Sequence, residues 1–263
     1  PFLKAIYKLD KKINITLVVT DLPEYYDLSK VSYIRKIARK INNHYLYKYM
    51  TRIDSFVLLT KQMKNKLDVG ERPNVVVEGI SNIEPNCKTN NITIRKELDK
   101  KTILYTGTLH YKFGIKTLLD SFSLINKRNY ELWICGSGEA AEYIKEQTKI
   151  DNRIKFYGYV TKEEVKQLQQ QATILINPRP NEGEYTKYSF PSKTMEYMAS
   201  GKPVLMYKLD GIPDEYDNFL YYVEGTSIEN LKDKILEVCE KSDKELNEFG
   251  AKALNFVIQN KNP

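Results

Sequence analysis

Cysteine and histidine are scarce in this 263-residue chain, which has three Cys (Cys87, Cys135, Cys239) and two His (His44, His110). They lie far apart in sequence, and no metal-ligand spacing occurs among them, so a metal held by these residues is not expected. The expectation is free thiols in a reducing cytoplasm. No stretch approaches the ~18 apolar residues of a membrane-spanning helix. The opening Pro1-Phe2-Leu3-Lys4 has neither a long apolar core nor a small-residue cleavage site, so no secretory signal is read there. The initiator Met is also missing, and the chain is expected to be a piece of a longer protein. Internal repeats, low-complexity tracts and an Asp-x-Asp motif are all absent.

What remains is ordinary for a folded protein, with 41% apolar and 29% charged residues in a length that suits two medium domains. The charge is not evenly spread. Lys30 to Lys66 holds ten Lys or Arg and one acid, Asp54, giving +9; the whole chain is +7, so the rest sums to −2. The excess is local to one element. That element, around Val31 to Arg52, has Ile34, Ile37, Ala38, Ile41, Tyr45 and Tyr49 at helical spacing, surrounded by Arg35, Lys36, Arg39, Lys40, Lys48 and Arg52. It reads either as a solvated charged face over a core stripe or as a helix for an anionic membrane surface. A nucleic-acid partner is not expected, because no base-reading motif accompanies the charge.

Strand patterns recur at Ile13–Thr20, Ser55–Thr60 and Asn74–Glu78, separated by the basic helix and a short helix at Lys61–Leu67. After a polar, Asn-rich stretch come strands at Thr102–Thr106, Tyr130–Ile134, Ile154–Tyr157, Thr173–Asn177, Pro203–Met206 and Phe219–Tyr222. Helices are expected at Ile115–Ile125, Ala140–Thr148, Lys162–Gln170, Pro191–Ala199, Ile228–Glu240 and Lys244–Val257, the third with a Thr161/Glu164 capping box. Strand–helix alternation predicts an α/β fold with parallel sheets. The first Rossmann-like domain is incomplete (1–82), followed by a linker (83–100) and a complete six-stranded doubly wound domain (101–263).

The most informative run is Tyr188-Ser189-Phe190-Pro191-Ser192-Lys193-Thr194-Met195-Glu196-Tyr197, closing at Ser200-Gly201 before the strand Val204-Leu205-Met206. Hydroxyls and a proline make a helix start, whose free N–H groups and partial positive charge favour a phosphate. Lys193 adds charge, and Glu196 one turn deeper can accept hydrogen bonds from two sugar hydroxyls. Phosphate and ribose on one helix suggest a nucleotide diphosphate.

This run resembles the donor-binding helix of family 4 glycosyltransferases, retaining enzymes of the GT-B fold, in particular the bacterial capsule and cell-envelope branch. The resemblance is good from about Lys101 to Leu254 and looser before it. It implies that Lys193 and Arg179 hold the departing diphosphate and that Glu196 holds the ribose. It implies donor contacts from Tyr188, Ser189, Phe190 and Ser192, and from the loops carrying Gly107, Thr108, Lys112, Gly114, Gly136, Gly138, Gly158 and Tyr159. The chain departs from the family at four positions. Thr108 and Phe113 stand where a basic pair is usual, and Tyr188 stands where the first of two glutamates falls. Thr20 replaces a histidine before Asp21, an acceptor-side candidate.

Each segment also has a plainer reading. Gly107 to Gly114 fits a strand–helix turn, Gly136-Ser137-Gly138 fits a loop, Tyr159 fits a core, and Arg179 in Pro178-Arg179-Pro180 fits a solvated surface. The expected function is sugar transfer from a nucleotide diphosphate sugar, a uridine diphosphate sugar among the candidates, to a sugar, polysaccharide or lipid-linked acceptor. No cofactor or metal is expected, and the location is the cytoplasm, peripheral at the inner face of the membrane. The alternatives are a nucleotide-sugar-binding fragment without catalysis and, more remotely, a GT-B sugar epimerase or a nucleic-acid binder.

Overall fold

The structure is a computed structural model that describes Ile6 and residues 13–25, 33–81 and 100–262. Cys87, Lys30 and all but the last residue of the expected linker lie outside the described residues. Packing divides the chain into two compact units. The first comprises Pro1–Gly79 with Glu182–Phe190 and Leu209–Ile212; the second comprises Ile80–Asn181, Pro191–Lys208 and Pro213–Pro263.

In the first unit, β1 (Thr16–Val19), β2 (Ser55–Leu58) and β3 (Asn74–Val76) form a parallel sheet in that order. Two of its helices are α1 (Tyr33–Met50) and α2 (Met63–Lys66). Val19, Phe56, Leu58, Met63 and Val69 make the core, with Met50 from the end of α1. The core-facing side of α1 is Leu46, Tyr47 and Met50. Of the two readings left open for the apolar stripe, a core stripe does not hold for Ile37, Ile41 and Tyr45, which are 46%, 54% and 56% exposed.

The loops 182–190 and 209–212 are held to this unit by polar contacts. Thr60 Oγ1 donates to the Lys187 carbonyl at 3.0 Å, and Gln62 Nε2 donates to the Asp210 carbonyl at 2.5 Å. Tyr188 stacks on Tyr25 (5.9 Å, 15°), and Glu184 accepts from the Tyr25 hydroxyl and pairs with Lys66.

The second unit contains six strands among the described residues: β4 (Lys101–Thr106), β5 (Tyr130–Cys135), β6 (Ile154–Gly158), β7 (Ile174–Asn177), β8 (Val204–Met206) and β9 (Tyr221–Tyr222). All pair in parallel, in the order β6-β5-β4-β7-β8-β9. Strands covered on both faces need apolar side chains on both, so β4 and β7 read as unbroken buried runs, without alternation. Helices α3 (Ile115–Ser123), α4 (Ala141–Ile150), α5 (Lys162–Gln171), α6 (Ser192–Ala199), α7 (Ile228–Cys239) and α8 (Asp243–Asn260) connect or cover them. Thr161 and Glu164 form the expected capping box at α5, and Ser227/Asn230 and Ser242/Glu245 do the same at α7 and α8. Each strand and helix lies within a few residues of its place in the sequence pattern, and the architecture is α/β with parallel sheets, as expected.

The strand order matters for function. Counting from β4, it is that of a doubly wound sheet whose direction of winding reverses between β4 and β7. In such sheets the crevice beyond the carboxyl ends of those two strands receives the ligand, because the connections leave to opposite faces.

Candidate functional site

The seam between β4 and β7 opens toward its carboxyl end. Its register pairs only Ile103 with Ile174 and Leu104 with Leu175. Beyond Leu104 the strands separate, and the next backbone groups on that side belong to Thr106. They are taken up by a side chain: the Tyr197 hydroxyl accepts the Thr106 N–H at 2.7 Å and donates to its carbonyl at 2.9 Å. Tyr197 is fully buried, and burial pushes its phenol far above the ordinary range. The hydroxyl therefore stays protonated and serves both groups. This contact holds α6 against the end of β4, where the loop Gly107 to Gly114 begins.

That loop lies close to its neighbours. A Cβ on Gly114 would fall 2.0 Å from the Pro178 carbonyl oxygen in the loop after β7, and Gly114 has φ +81°. A Cβ on Gly136, after β5, would fall 1.8 Å from the Gly107 carbonyl oxygen. Leu109 N–H donates to the Ser137 carbonyl, and Gly136 N–H donates to the Gly158 carbonyl at 2.7 Å. Backbone contact thus joins the loops after β4, β5, β6 and β7, and glycine is needed where they meet.

Two cations sit on one aromatic ring here. Arg179 Cζ is 5.5 Å and Lys112 Nζ 5.1 Å from the centre of Phe113. Phe113 occupies the place where a lysine is usual in the family that the sequence resembles. The ring instead collects one cation from its own loop and one from the loop after β7, a cation–π arrangement. Thr108 is exposed at the start of the same loop.

Helix α6 starts differently from α5, α7 and α8. Its N-cap is Pro191, which makes no side-chain cap hydrogen bond, so no hydroxyl caps the helix from that position. Lys193 Nζ lies 2.7 Å from Glu196 Oε2, and Gln169 Nε2 donates to Glu196 Oε1 at 2.9 Å. The two residues assigned to diphosphate and ribose therefore hold each other. Both are partly exposed, 36% and 44%, and such a pair is worth only ~0–1 kcal/mol, so a ligand can exchange it cheaply. Lys193 also acts on the end of β5. Burial is the main cause that raises the Cys135 thiol to about 12, and the charge of Lys193 opposes that rise.

Gly107, Thr108, Lys112, Gly114, Gly136, Gly138, Gly158, Tyr159, Arg179, Ser192, Lys193 and Glu196 all belong to the second unit. Tyr188, Ser189 and Phe190 do not; they pack with the first. Tyr159 is 84% exposed, so its core reading is excluded. Tyr197, Gln169 and His110 were not singled out from sequence. The polar group of Tyr197 on the buried side of a helix was the available signal.

A family profile for Glycosyl transferases group 1 matches residues 100–241, more than half of the chain, and the chain belongs to that family. A glycosyltransferase of Methanocaldococcus jannaschii, MJ1607, is 29% identical over 118 residues, 43% of this chain and 29% of that protein. The match thus spans less than a third of that relative's length. The crystal structure of Anabaena HepE with UDP and glucose aligns with 99% of this chain and 71% of its own, at 14% identity and TM-score 0.68. Sucrose-phosphate synthase of Thermosynechococcus elongatus aligns with 98% of this chain and 67% of its own, at 16% identity and TM-score 0.71. These likenesses show the fold.

Proposed function

We propose that this chain carries the donor site of a retaining, metal-independent glycosyltransferase. It would use a nucleotide diphosphate sugar and serve cell-surface polysaccharide or glycolipid synthesis. The observation that carries the reading is the assembly at the β4–β7 switch point: Arg179 and Lys112 on Phe113, and α6 anchored to the end of β4 by Tyr197. HepE, with the same fold, has been crystallised with UDP and with UDP-glucose, which supports a uridine diphosphate sugar as donor.

In this reading the N–H groups of Ser192 and Lys193, the Lys193 ammonium and the Arg179 guanidinium hold the diphosphate. A helix start gives an anion ~0.3–1 kcal/mol, whereas a hydrogen bond to a charged group gives ~1.5–3 kcal/mol. The side-chain cations therefore supply most of the leaving-group stabilisation. Glu196 exchanges Lys193 and Gln169 for the ribose hydroxyls, and Tyr159, exposed beyond Gly158, lies against the base. The bond from the anomeric carbon to the phosphate oxygen breaks, and the acceptor oxygen bonds to the same face. The acceptor proton passes to the leaving phosphate.

Residues 1–82 form the acceptor-side domain in this reading, 83–100 the linker and 101–263 the donor domain. Among the described residues no helix is long and apolar enough to cross a membrane. The exposed Ile37, Ile41 and Tyr45, beside Lys40 and Lys48, support peripheral attachment of α1 to the anionic inner face of the cell membrane.

A second reading, nucleotide-sugar binding without turnover, is favoured by Thr108, Phe113 and Tyr188, where two cations and a carboxylate are usual. The test is to incubate the chain with UDP-glucose and measure UDP release beside UDP binding. Release supports the transferase. Binding without release supports the second reading, and binding of no nucleoside diphosphate overturns both.

A further inference from the structure

The loop after β4 carries a histidine that the donor reading leaves unused. His110 Nδ1 lies 2.9 Å from Glu139 Oε1, and the same oxygen accepts the Tyr111 N–H at 3.1 Å. Glu139 directly follows Gly138, so one carboxylate ties the loop after β5 to the loop after β4. His110 Nδ1 also lies 3.3 Å from the Lys112 amide nitrogen. A ring nitrogen cannot accept that N–H and donate to Glu139 at once. A bare lone pair facing a carboxylate at this distance is repulsive, so a proton on Nδ1 donated to Glu139 is the favoured arrangement. Nε2 is then left as the basic position, as in other carboxylate-oriented histidines.

The ring also stands in a particular place. Its centre is 5.7 Å from that of Phe113, the ring that collects Lys112 and Arg179. His110 thus touches Glu139 from the loop after β5 on one side and neighbours, on the other, the ring that carries Lys112 from its own loop and Arg179 from the loop after β7. Tyr143 of α4 stands behind Tyr111 (6.2 Å). An anion held by Lys112 and Arg179 would bring negative charge beside the ring, and nearby negative charge favours a protonated imidazole.

We propose that His110, oriented by Glu139, takes up a proton when a diphosphate binds, supplying positive charge that Thr108 and Phe113 do not. This rests on the reading of the loop as a diphosphate site. The step is a binding linkage: Nε2 gains a proton from solvent, and by reciprocity the anion binds more tightly where the imidazole is already protonated. His110 is in this sense a charge-supplying binding residue, and Glu139 is a positioning residue acting through it.

UDP is the probe. Its binding to the full chain is measured by calorimetry between pH 6 and pH 8.5, in buffers of different ionisation enthalpy, for the wild type, His110→Gln and Glu139→Gln. The terminal phosphate of UDP itself titrates near pH ~6, and the comparison with His110→Gln cancels that contribution. If binding raises the imidazole's affinity for its proton by one pH unit, wild-type affinity gains about tenfold toward low pH relative to His110→Gln. Proton uptake per UDP falls in His110→Gln, and Glu139→Gln shows a reduced slope. Equal pH slopes and equal proton uptake in the wild type and His110→Gln overturn the proposal while UDP still binds. Should His110→Gln unfold, a Glu139→Gln slope equal to the wild type's overturns it instead. If the wild type binds no UDP at any pH, the diphosphate reading itself falls and takes this inference with it.

Discussion

The Tyr197 hydroxyl occupies the position of a missing strand neighbour to Thr106, bonded to its N–H at 2.7 Å and its carbonyl at 2.9 Å. Where β4 and β7 separate to open the crevice, buried backbone polar groups are exposed to a gap, and one phenol closes it. At the other end of the same seam Thr173 Oγ1 accepts the Thr102 N–H at 2.9 Å. The opening of the sheet therefore depends on a side chain of α6, and the helix and the Gly107 loop are positioned together.

Tyr197→Phe removes the hydroxyl and leaves two buried groups without it. Each buried unsatisfied group costs ~1–3 kcal/mol. The two together cost ~2–6 kcal/mol, so thermal unfolding is expected to shift down by about 4–24 °C, each kcal/mol moving a domain of this size by ~2–4 °C. UDP binding should weaken as well, because α6 and the loop lose their common anchor. An unchanged melting temperature would show that water replaces the phenol.

Lys193→Met separates binding from stability. The ion pair with Glu196 is partly exposed and contributes little to folding, so the melting temperature should move by less than about 4 °C. UDP affinity is expected to fall by about tenfold or more, each ~1.4 kcal/mol being one such factor. Isothermal calorimetry on the purified chain checks this, and full affinity in the variant contradicts the role given to the lysine.

Two glycines in the loops separate steric from conformational need. Gly136→Ala places a Cβ 1.8 Å from the Gly107 carbonyl oxygen at φ +138°, and should destabilise by more than ~2 kcal/mol through clash and strain. Gly158→Ala meets nothing within 4 Å and pays only for φ +66°, about 1–2 kcal/mol. Chemical denaturation of the two variants should preserve that order.

The exposed stripe of α1 makes a lipid prediction. The double variant Ile37→Asp with Ile41→Asp should abolish co-sedimentation with vesicles containing anionic phosphatidylserine. Far-UV circular dichroism should stay unchanged, since neither residue contributes to the core. Equal sedimentation with neutral vesicles would rule out the anionic-surface reading.

Acid stability should show the Asp151–Arg153 pair. Hydrogen bonding from Arg153 holds the Asp151 carboxyl below its ordinary 3.8. A depressed pKa gives stability that is present above the unfolded value and lost as pH falls through the folded one. Asp151→Asn should therefore be less stable than the wild type at pH 7, and the difference should shrink below pH 3.8. Arg153 also donates to the Lys127 carbonyl at 3.1 Å, so part of the loss reflects its orientation.

Much of the secondary structure was legible because it depends on local order. Alternation and β-branching marked β1, short apolar runs between helical patterns marked the other strands, and Thr161 with Glu164 marked the start of α5. The stripe Ile37, Ile41 and Tyr45 was open between core and surface, since helical spacing tells that a face is apolar and not what it faces; Leu46, Tyr47 and Met50 make the core contact. Tyr159 was open between core and surface for the same reason. Neither the Lys193–Glu196 pair nor the Gln169 bond was foreseen, although a spacing of three in a helix permits the former.

The sequence by itself determined the family and the fold, because glycine loops, helix caps and the period of apolar residues are local requirements that hold wherever the chain goes. The tertiary structure alone decided which distant groups meet: Arg179 with Lys112 on Phe113, His110 with Glu139, and Tyr197 with Thr106. Those meetings follow from strand order. A parallel sheet places the carboxyl ends of strands far apart in sequence side by side, and no local pattern records which loops become neighbours.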